Sequence, residues 1–332
     1  MAEAWVTQMR MLITGGAGFI GSNFVHHMVK TYPDSEIVVL DKLTYAGRKE
    51  NLQDIWSKIK FVKGDITKRE DVEKVAEDCD CIVNFAAETH VDRSIVEAGT
   101  FVFTDVLGTY NLLEVARKFE VPRFEQISTD EVYGHIHAGS FQEQDKLNPR
   151  NPYSASKAGA ELLCRSYFET HGLPIVITRS SNNYGPYQHP EKLVPKTIIY
   201  ATLNKRIPVY GTGENVRDWI YVEDNCKAID LVLEKGEAGQ AYNIAGQQEL
   251  KNIDVVKTIL KLSGSSESLI EFVKDRPGHD ARYSLSIDKI LRLGWKPKTK
   301  FDEGIRKTLK WYQNNAAWWK PVIESERIDF HR

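Results

Sequence analysis

The sequence predicts an α/β fold: a doubly wound parallel sheet, joined to a smaller mixed α/β lobe. Three observations lead there. Through the first half of the chain, short apolar runs alternate with amphipathic helical stretches, the pattern of strands joined by right-handed crossovers. A glycine-rich turn separates the first run from the first helix, and beyond Lys192 the elements become shorter and mixed. At 332 residues the chain has room for two coupled lobes.

The first strand is expected over Met11–Thr14, followed at once by GGAGFIGS and a helical pattern through Val29. Gly15 suits a tight turn, Gly18 lets backbone approach a pyrophosphate, and Gly21 lets helix and strand pack closely. The helix start then offers amide donors to phosphates. A second strand, Ile37–Leu40, ends at Asp41, about twenty residues after the last glycine, where an acid accepts from a ribose 2′-hydroxyl. Strand, turn, helix and acid together read as a Rossmann-type dinucleotide site. An acid there repels a 2′-phosphate, so the expected cofactor is NAD rather than NADP.

The alternation continues through a strand at Phe61–Val62, a helix at Arg69–Ala76, a strand at Cys81–Phe85, a helix near Thr104–Phe119 and a strand at Phe124–Ile127. Asp65 and Ile66 follow the third strand, in place for an adenine. Phe85, Ala86 and Ala87 close the fourth, and the small residues let a cofactor lie close.

Just past the fifth strand come Ser128, Thr129, Asp130, Glu131 and Tyr133, hydroxyls and carboxyls at the carboxyl end of a strand, where open α/β sheets bind ligands. Pro152 then opens a helical pattern that puts Tyr153 and Lys157, four apart, on one face. A free phenol has a pKa of about 10. A neighbouring ammonium is expected to lower it, so that Tyr153 works as a base near neutrality.

After a strand at Ile175–Thr178, the polar loop RSSNNYGPYQHPEKLVP carries Asn182, Asn183 and Lys192. There follow a helix to Leu203, a strand at Pro208–Tyr210, the segment GTGENVRDWIYVEDN, a helix to Glu234, the run YNIA, a helix over Asn252–Leu262, DRPGHDARY and two closing helices. Residues 10–190 are read as the cofactor-binding unit with the catalytic residues, and 191–332 as mainly a substrate-binding lobe, some of whose segments return to the sheet. Arg217 and Arg276, on separate loops, suit a diphosphate, although Asp218, Asp275 and Asp280 are at hand as internal partners. Trp311, Trp318 and Trp319 read as packing, and His135 and His137 as exposed loop residues.

Forty-four Lys and Arg against 46 Asp and Glu, a formal charge of −2 and a pI near 6.5 lack the basic excess of a nucleic-acid binder. No apolar run spans a bilayer and MAEAWVTQMR lacks the apolar stretch of a signal peptide, so no membrane partner and a cytoplasmic location are expected. Cys79, Cys81, Cys164 and Cys226 have no zinc-site spacing and read as buried, reduced thiols, with no metal.

Taken in order from Met11 to Trp319, the motifs TGGAGFIGS, DKLTYAG, GDI, FAAETHVDRS, STDEVYG, YSASK, SNNYGPYQHPEKL, RDWIYVED and DRPGHD are similar to those of the dTDP-glucose 4,6-dehydratase family, within the extended short-chain dehydrogenases/reductases. Thr129-Asp130-Glu131 discriminates: related C4 epimerases generally lack the two carboxylates, and sugar-nucleotide decarboxylases usually carry Ser in place of Asp130. GDP-mannose dehydratases resemble the triad but bind NADP, against which Asp41 argues.

The resemblance implies a mechanism. Tyr153, assisted by Lys157, takes the C4 hydroxyl proton while a hydride leaves C4 for NAD. Glu131 removes the C5 proton, Asp130 protonates the departing C6 hydroxyl, the hydride returns to C6, and C5 regains a proton. Thr129 holds the sugar hydroxyls. Phe19, Ile20, Asp41, Lys42, Leu43, Thr44, Asp65, Ile66, Thr104 and Asn183 are implied as cofactor contacts. Thr89, Asn182, Lys192, Leu193, Pro208, Tyr210, Arg217, Asn252, Arg276 and His279 are implied for the dTDP-sugar. Thr89 stands where the family's AAESH motif has Ser, and keeps the hydroxyl. A homodimer through a four-helix bundle of the helices near 104–119 and 153–171 is implied too. The same dehydration on UDP-glucose or a UDP-N-acetylhexosamine stays open. A catalytically silent NAD-binding regulator is the alternative of another class, against which intact Asp130, Glu131, Tyr153 and Lys157 argue.

Overall fold

In the computed structural model, which describes residues 8–275 and 278–325, strands β1 (Arg10–Thr14), β2 (Glu36–Asp41), β3 (Lys60–Lys63), β4 (Cys81–Asn84), β5 (Phe124–Thr129) and β6 (Ile175–Ser180) form one sheet. Two short strands follow, β7 (Asn182–Tyr184) and β8 (Ile207–Tyr210), then β9 (Val216–Tyr221), β10 (Ala241–Ile244), β11 (Glu249–Lys251) and β12 (Ile270–Val273). The order across the seven-stranded sheet is β10-β6-β5-β4-β1-β2-β3, and every pairing in it is parallel. The direction of winding reverses between β1 and β4, and such a switch point leaves a crevice at the carboxyl ends of the strands.

The central strands are buried throughout, as parallel strands covered on both faces must be: β4 and β6 expose no residue, and β1 only partly exposes Arg10. One face is covered by helices α1 (Phe19–Thr31) and, much later in the chain, a helix over Val222–Lys235, with Phe24, Met28, Ile229 and Val232 in that core. The other face carries α2 (Arg69–Ala76) and further helices through Leu112, Leu113 and Cys164. A third core, built on Tyr184, Trp219, Val256, Phe301 and Trp319, belongs to the smaller lobe. Trp319 is buried there, and Trp311 and Trp318 pack on it. Strand β10, which holds the first three residues of the YNIA run, closes the edge of the main sheet beside β6.

Two expectations change. The helix read from Thr104 is part of a longer helical run: α3 (Val91–Val96), α4 (Ala98–Phe101), a π-helical turn over Val102–Leu107, then α5 (Gly108–Lys118). The π turn widens the helix at Asp105, whose carboxylate accepts from the Glu88 amide at 3.0 Å and the Ser156 hydroxyl at 2.5 Å. The loop after β6 contains strand β7, which pairs parallel with β9 and ties the loop to the lobe. The remaining helices are α6 (Pro152–His171), α7 (Leu193–Thr202), α8 (Val222–Lys235), α9 (Asn252–Ser263), α10 (Asp288–Arg292), α11 (Phe301–Asn314) and α12 (Ala316–Ser325). Among the described residues no helix is long and apolar enough to cross a membrane, and no cluster of three or more His, Cys, Asp or Glu is placed to hold a metal. All four cysteines are free and buried.

Candidate active site

At the carboxyl ends of β1, β2, β4, β5 and β6 a cavity of about 480 Å³ runs from the glycine-rich turn to the smaller lobe. Its cofactor end is shaped by backbone. Gly15 has φ +68°, and a Cβ there would lie 2.5 Å from the Ala86 amide nitrogen; a Cβ on Gly21 would lie 2.3 Å from the Gly15 carbonyl oxygen. Both positions need glycine, one for conformation as well as space. Helix α1 starts beyond Gly18 with no side-chain cap, so its first amides remain available to an anion.

Asp41, at the end of β2, accepts from the Ala17 amide at 2.9 Å and the Leu43 amide at 2.7 Å. Burial raises its pKa against those two bonds. It therefore pins the turn as well as facing the cavity. Lys42 reaches Asp65 at 2.7 Å, joining the loops after β2 and β3. Phe19, Ile20, Thr44, Ile66, Phe85, Ala86, Ala87, Thr104 and Asn183 line the same cavity. Leu43 does not: its backbone has φ 58° and its side chain packs on the main core, so it serves Asp41 through its amide. A dinucleotide fits this cradle, since the tight glycine turn brings the uncapped first amides of α1 to the cavity and Asn183 Oδ1 is a buried acceptor without a partner in the protein.

The candidate catalytic group sits where β5 ends. Asp130 is 3% exposed, Thr129 donates to its Oδ1 at 3.1 Å, and its Oδ2 has no protein partner. Burial, then the neighbouring Glu131 charge, pushes Asp130 up to about 8. Glu131 is half-buried and accepts from Asn151 Nδ2 at 3.1 Å. Asn151 also caps α6: its Oδ1 accepts from the Ser154 amide at 2.8 Å, with Pro152 in the first turn. One residue thus fixes both the helix start and the carboxylate beside it.

Tyr153 and Lys157, a turn apart on α6, both line the cavity. The expected lowering of Tyr153 is not what the protein alone produces. Burial, then Glu131 and Asp105, raises the phenol well above its ordinary value. Lys157 donates to the Ile127 carbonyl at 2.8 Å, and burial lowers its own pKa. Spacing put both residues on one helix but could not weigh desolvation against one ammonium.

At the other end stand Thr89, Asn182, Lys192, Leu193, Pro208, Tyr210, Arg217, Asn252 and His279. Arg276 lies outside the described residues. Arg217 is buried over the Tyr283 ring, 4.4 Å from its centroid, and donates to the Val216 and Asp280 carbonyls. It does not pair with Asp218, which takes the Ser181 hydroxyl and the Gly246 and Gln248 amides. Arg282 pairs with Glu249 at 2.6 Å instead.

Sequence reasoning missed Gln188, Glu191, Lys196 and Trp219, all on the cavity wall. Gln188 Oε1, Trp219 Nε1 and Asn252 Oδ1 are buried without a protein partner, as acceptors and donors for a polar ligand. Glu191 stands between Tyr45, His90, Arg93 and Lys192 at 3.2 to 3.8 Å. Gln188 and Glu191 lie inside the YGPYQHPEKL run, so the motif was the available signal; the distant partners of Glu191, Tyr45, His90 and Arg93, were not in it.

The sequence profile of the family described as GDP-mannose 4,6 dehydratase matches residues 12–308. The low-salt glycan biosynthesis protein Agl12 of Haloferax volcanii is 55% identical over 306 residues, covering 92% of this chain and 98% of its own. A dTDP-glucose 4,6-dehydratase of Streptomyces niveus is 48% identical over 95% of this chain and 96% of its own. The crystal structure of DesIV, a dTDP-glucose 4,6-dehydratase of Streptomyces venezuelae with NAD and dTDP bound, superposes with a TM-score of 0.93 at 47% identity, covering 95% of this chain and all of that one. Relatives bearing that one activity match this chain almost end to end, and it belongs to the dTDP-glucose 4,6-dehydratase family.

Proposed function

We propose that this protein is an NAD-dependent hydro-lyase that removes water from dTDP-glucose to give dTDP-4-keto-6-deoxyglucose. The observation that carries the proposal is a pair of adjacent carboxyls in unlike surroundings. Asp130 is buried and pushed up to about 8, so near neutrality it holds a proton to give, whereas Glu131 is half-buried beside the amide of Asn151 and receives one.

The turn at Gly15, Gly18 and Gly21 and the start of α1 would hold NAD, which would supply the hydride acceptor for C4 and the donor for C6. Tyr153 takes the C4 hydroxyl proton as the phenolate, a form that burial alone disfavours and that the positive charge of a bound nicotinamide, added to that of Lys157, would favour; Thr129 stands beside it to orient the sugar. Lys157, held on the Ile127 carbonyl, brings the nearest fixed positive charge on α6. Once C4 is a ketone the C5 hydrogen is acidic; Glu131 removes it while Asp130 protonates the leaving C6 hydroxyl. Arg217, Lys192 and the part of the cavity near Tyr210 take the nucleotide diphosphate. The preference for thymidine over uridine rests on the relatives of that activity and on the dTDP seen in DesIV.

The division into a cofactor unit over 10–190 and a substrate lobe over 191–332 is part of the same reading, with β10 and α8 as segments that return to the sheet. So is a homodimer. Val102, Phe103, Leu107, Tyr110 and Leu162 leave an apolar surface exposed on the helical run through α5 and on α6, which supports burial against a second copy. Cytoplasmic residence is supported by the four free thiols.

Incubating the purified protein with dTDP-glucose, UDP-glucose and GDP-mannose in separate tubes, followed by mass spectrometry, tests the function. Loss of one water from the thymidine sugar alone is the expected result. Reaction of another sugar would move the substrate assignment, and no reaction with any of them would leave a silent NAD-binding protein.

A further inference from the structure

Behind Glu131 a chain of polar side chains leads out of the cavity. Glu131 Oε2, which already accepts from Asn151, is 3.5 Å from the hydroxyl of Tyr283. Tyr283 is 2% exposed, and its hydroxyl donates to Asp280 Oδ2 at 2.5 Å. Asp280 is equally buried; its Oδ1 accepts from Arg150 NH1 at 2.9 Å and lies 3.5 Å from His135 Nδ1. His135 and Arg150 are 31% and 40% exposed at the side chain, and His135 packs against the exposed His137 with ring centroids 4.7 Å apart.

The path is held in place from several sides. The Asp280 carbonyl takes Asn215 Nδ2 and Arg217 NH2, the Arg217 guanidinium lies over the Tyr283 ring, and the Ile136 amide bonds to the Arg282 carbonyl, which fastens the His135 loop to the Tyr283 segment. Arg150 lies in contact with both Asp280 and the His135 ring. Nothing in the oxidation or in water loss as described above uses Tyr283, Asp280 or His135.

We propose that Glu131, Tyr283, Asp280 and His135 form a proton relay that exchanges the proton taken from C5 with solvent while the sugar fills the cavity. This rests on the dehydration reading. Glu131, having removed the C5 proton, passes it to the Tyr283 oxygen as Tyr283 gives its own hydrogen to Asp280; Asp280 passes one to His135, and His135 releases one to water. Only protons move, and each group returns to its starting charge. Run inward, the same chain delivers a solvent proton to Glu131 for C5 to regain after the double bond is reduced. Tyr283 never needs to ionise, because it accepts and donates together, which suits a phenol whose burial disfavours the phenolate.

The test is the isotope at C5 of product formed from ordinary dTDP-glucose in deuterium oxide, compared for the wild type, Tyr283→Phe, Asp280→Asn and His135→Phe. The wild type should place deuterium at C5. In the variants Glu131 keeps the hydrogen it removed and returns it, so protium at C5 should rise severalfold among the molecules that still lose water. A variant that only disturbed packing would lower the rate of water loss without altering this partition. Full deuteration at C5 in all three variants would overturn the relay, as would protium retention in the wild type. His135 is near the surface, so His135→Phe decides the matter if Asp280→Asn does not fold. Loss of water is read in the same spectrum, so a failure of the dehydratase reading shows as no water lost, separately from a failure of the relay.

Discussion

The two ends of the cavity are held by opposite means. At the cofactor end the chain's backbone defines the shape: Gly15 and Gly21 stand where no Cβ fits, α1 begins without a side-chain cap, and Asp41 spends its carboxylate on two amides. At the candidate catalytic end side chains define it, with Asn151 at the cap of α6 and Tyr283 from the segment before α10 meeting Glu131, which follows Asp130 just past β5. The first end is a steric device and should respond to volume. The second is an electrostatic one, and should respond to charge and proton content while leaving the fold standing.

Tyr153→Phe gives the largest expected effect on that comparison: turnover down about 10³-fold, with NAD content and unfolding midpoint unchanged. Loss of NAD from that variant would erase the distinction between the two ends. Gly21→Ala should do the reverse, costing about 3 kcal/mol of stability in denaturant unfolding and yielding protein purified without NAD.

Asp130→Asn sharpens the contrast through pH. The folded pKa of about 8 lies above the ordinary 3.8, so the folded chain keeps a proton that the unfolded chain releases. Wild-type stability should therefore fall as pH rises through that window. The Asn variant should be the more stable by on the order of 2 kcal/mol above neutrality, with the advantage gone at pH values below the lower pKa. Equal stability at both pH extremes would mean that Asp130 is not buried as an acid. Smallest is Arg217→Gln, expected to raise KM about tenfold with kcat nearly kept.

This contrast also explains what could be read in the sequence. Gly15, Asp41 and the Thr129-Asp130-Glu131 run lie at strand ends and Gly21 in the first turn of α1, where local pattern and chemistry coincide. Strand β7 was hidden because two asparagines and a tyrosine are too short a run to show alternation, and it pairs with β9. Strand β12 pairs with β8, some sixty residues earlier in the chain, and neither periodicity nor composition announces such a partner. The cavity walls contributed by Trp219 and Gln188 come from residues whose types favour a core or a loop; only their unmet hydrogen bonds mark them, and those appear once the chain is folded. His135 read as an exposed loop histidine, yet its ring lies against buried Asp280, a contact between loops 145 residues apart in sequence. The raised Tyr153 belongs to the same class, since burial is a property of the whole fold.

In the proposed reaction Asp130 is the acid of water loss and Tyr153 the base of the preceding oxidation. The most direct measurement is a mass spectrum of dTDP-glucose after quenching with stoichiometric Asp130→Asn and, separately, Tyr153→Phe enzyme. The first should hold a nucleotide sugar lighter by two hydrogens with all its oxygen kept, and the second should return unchanged dTDP-glucose. Dehydrated product from Asp130→Asn at the wild-type rate would contradict that assignment.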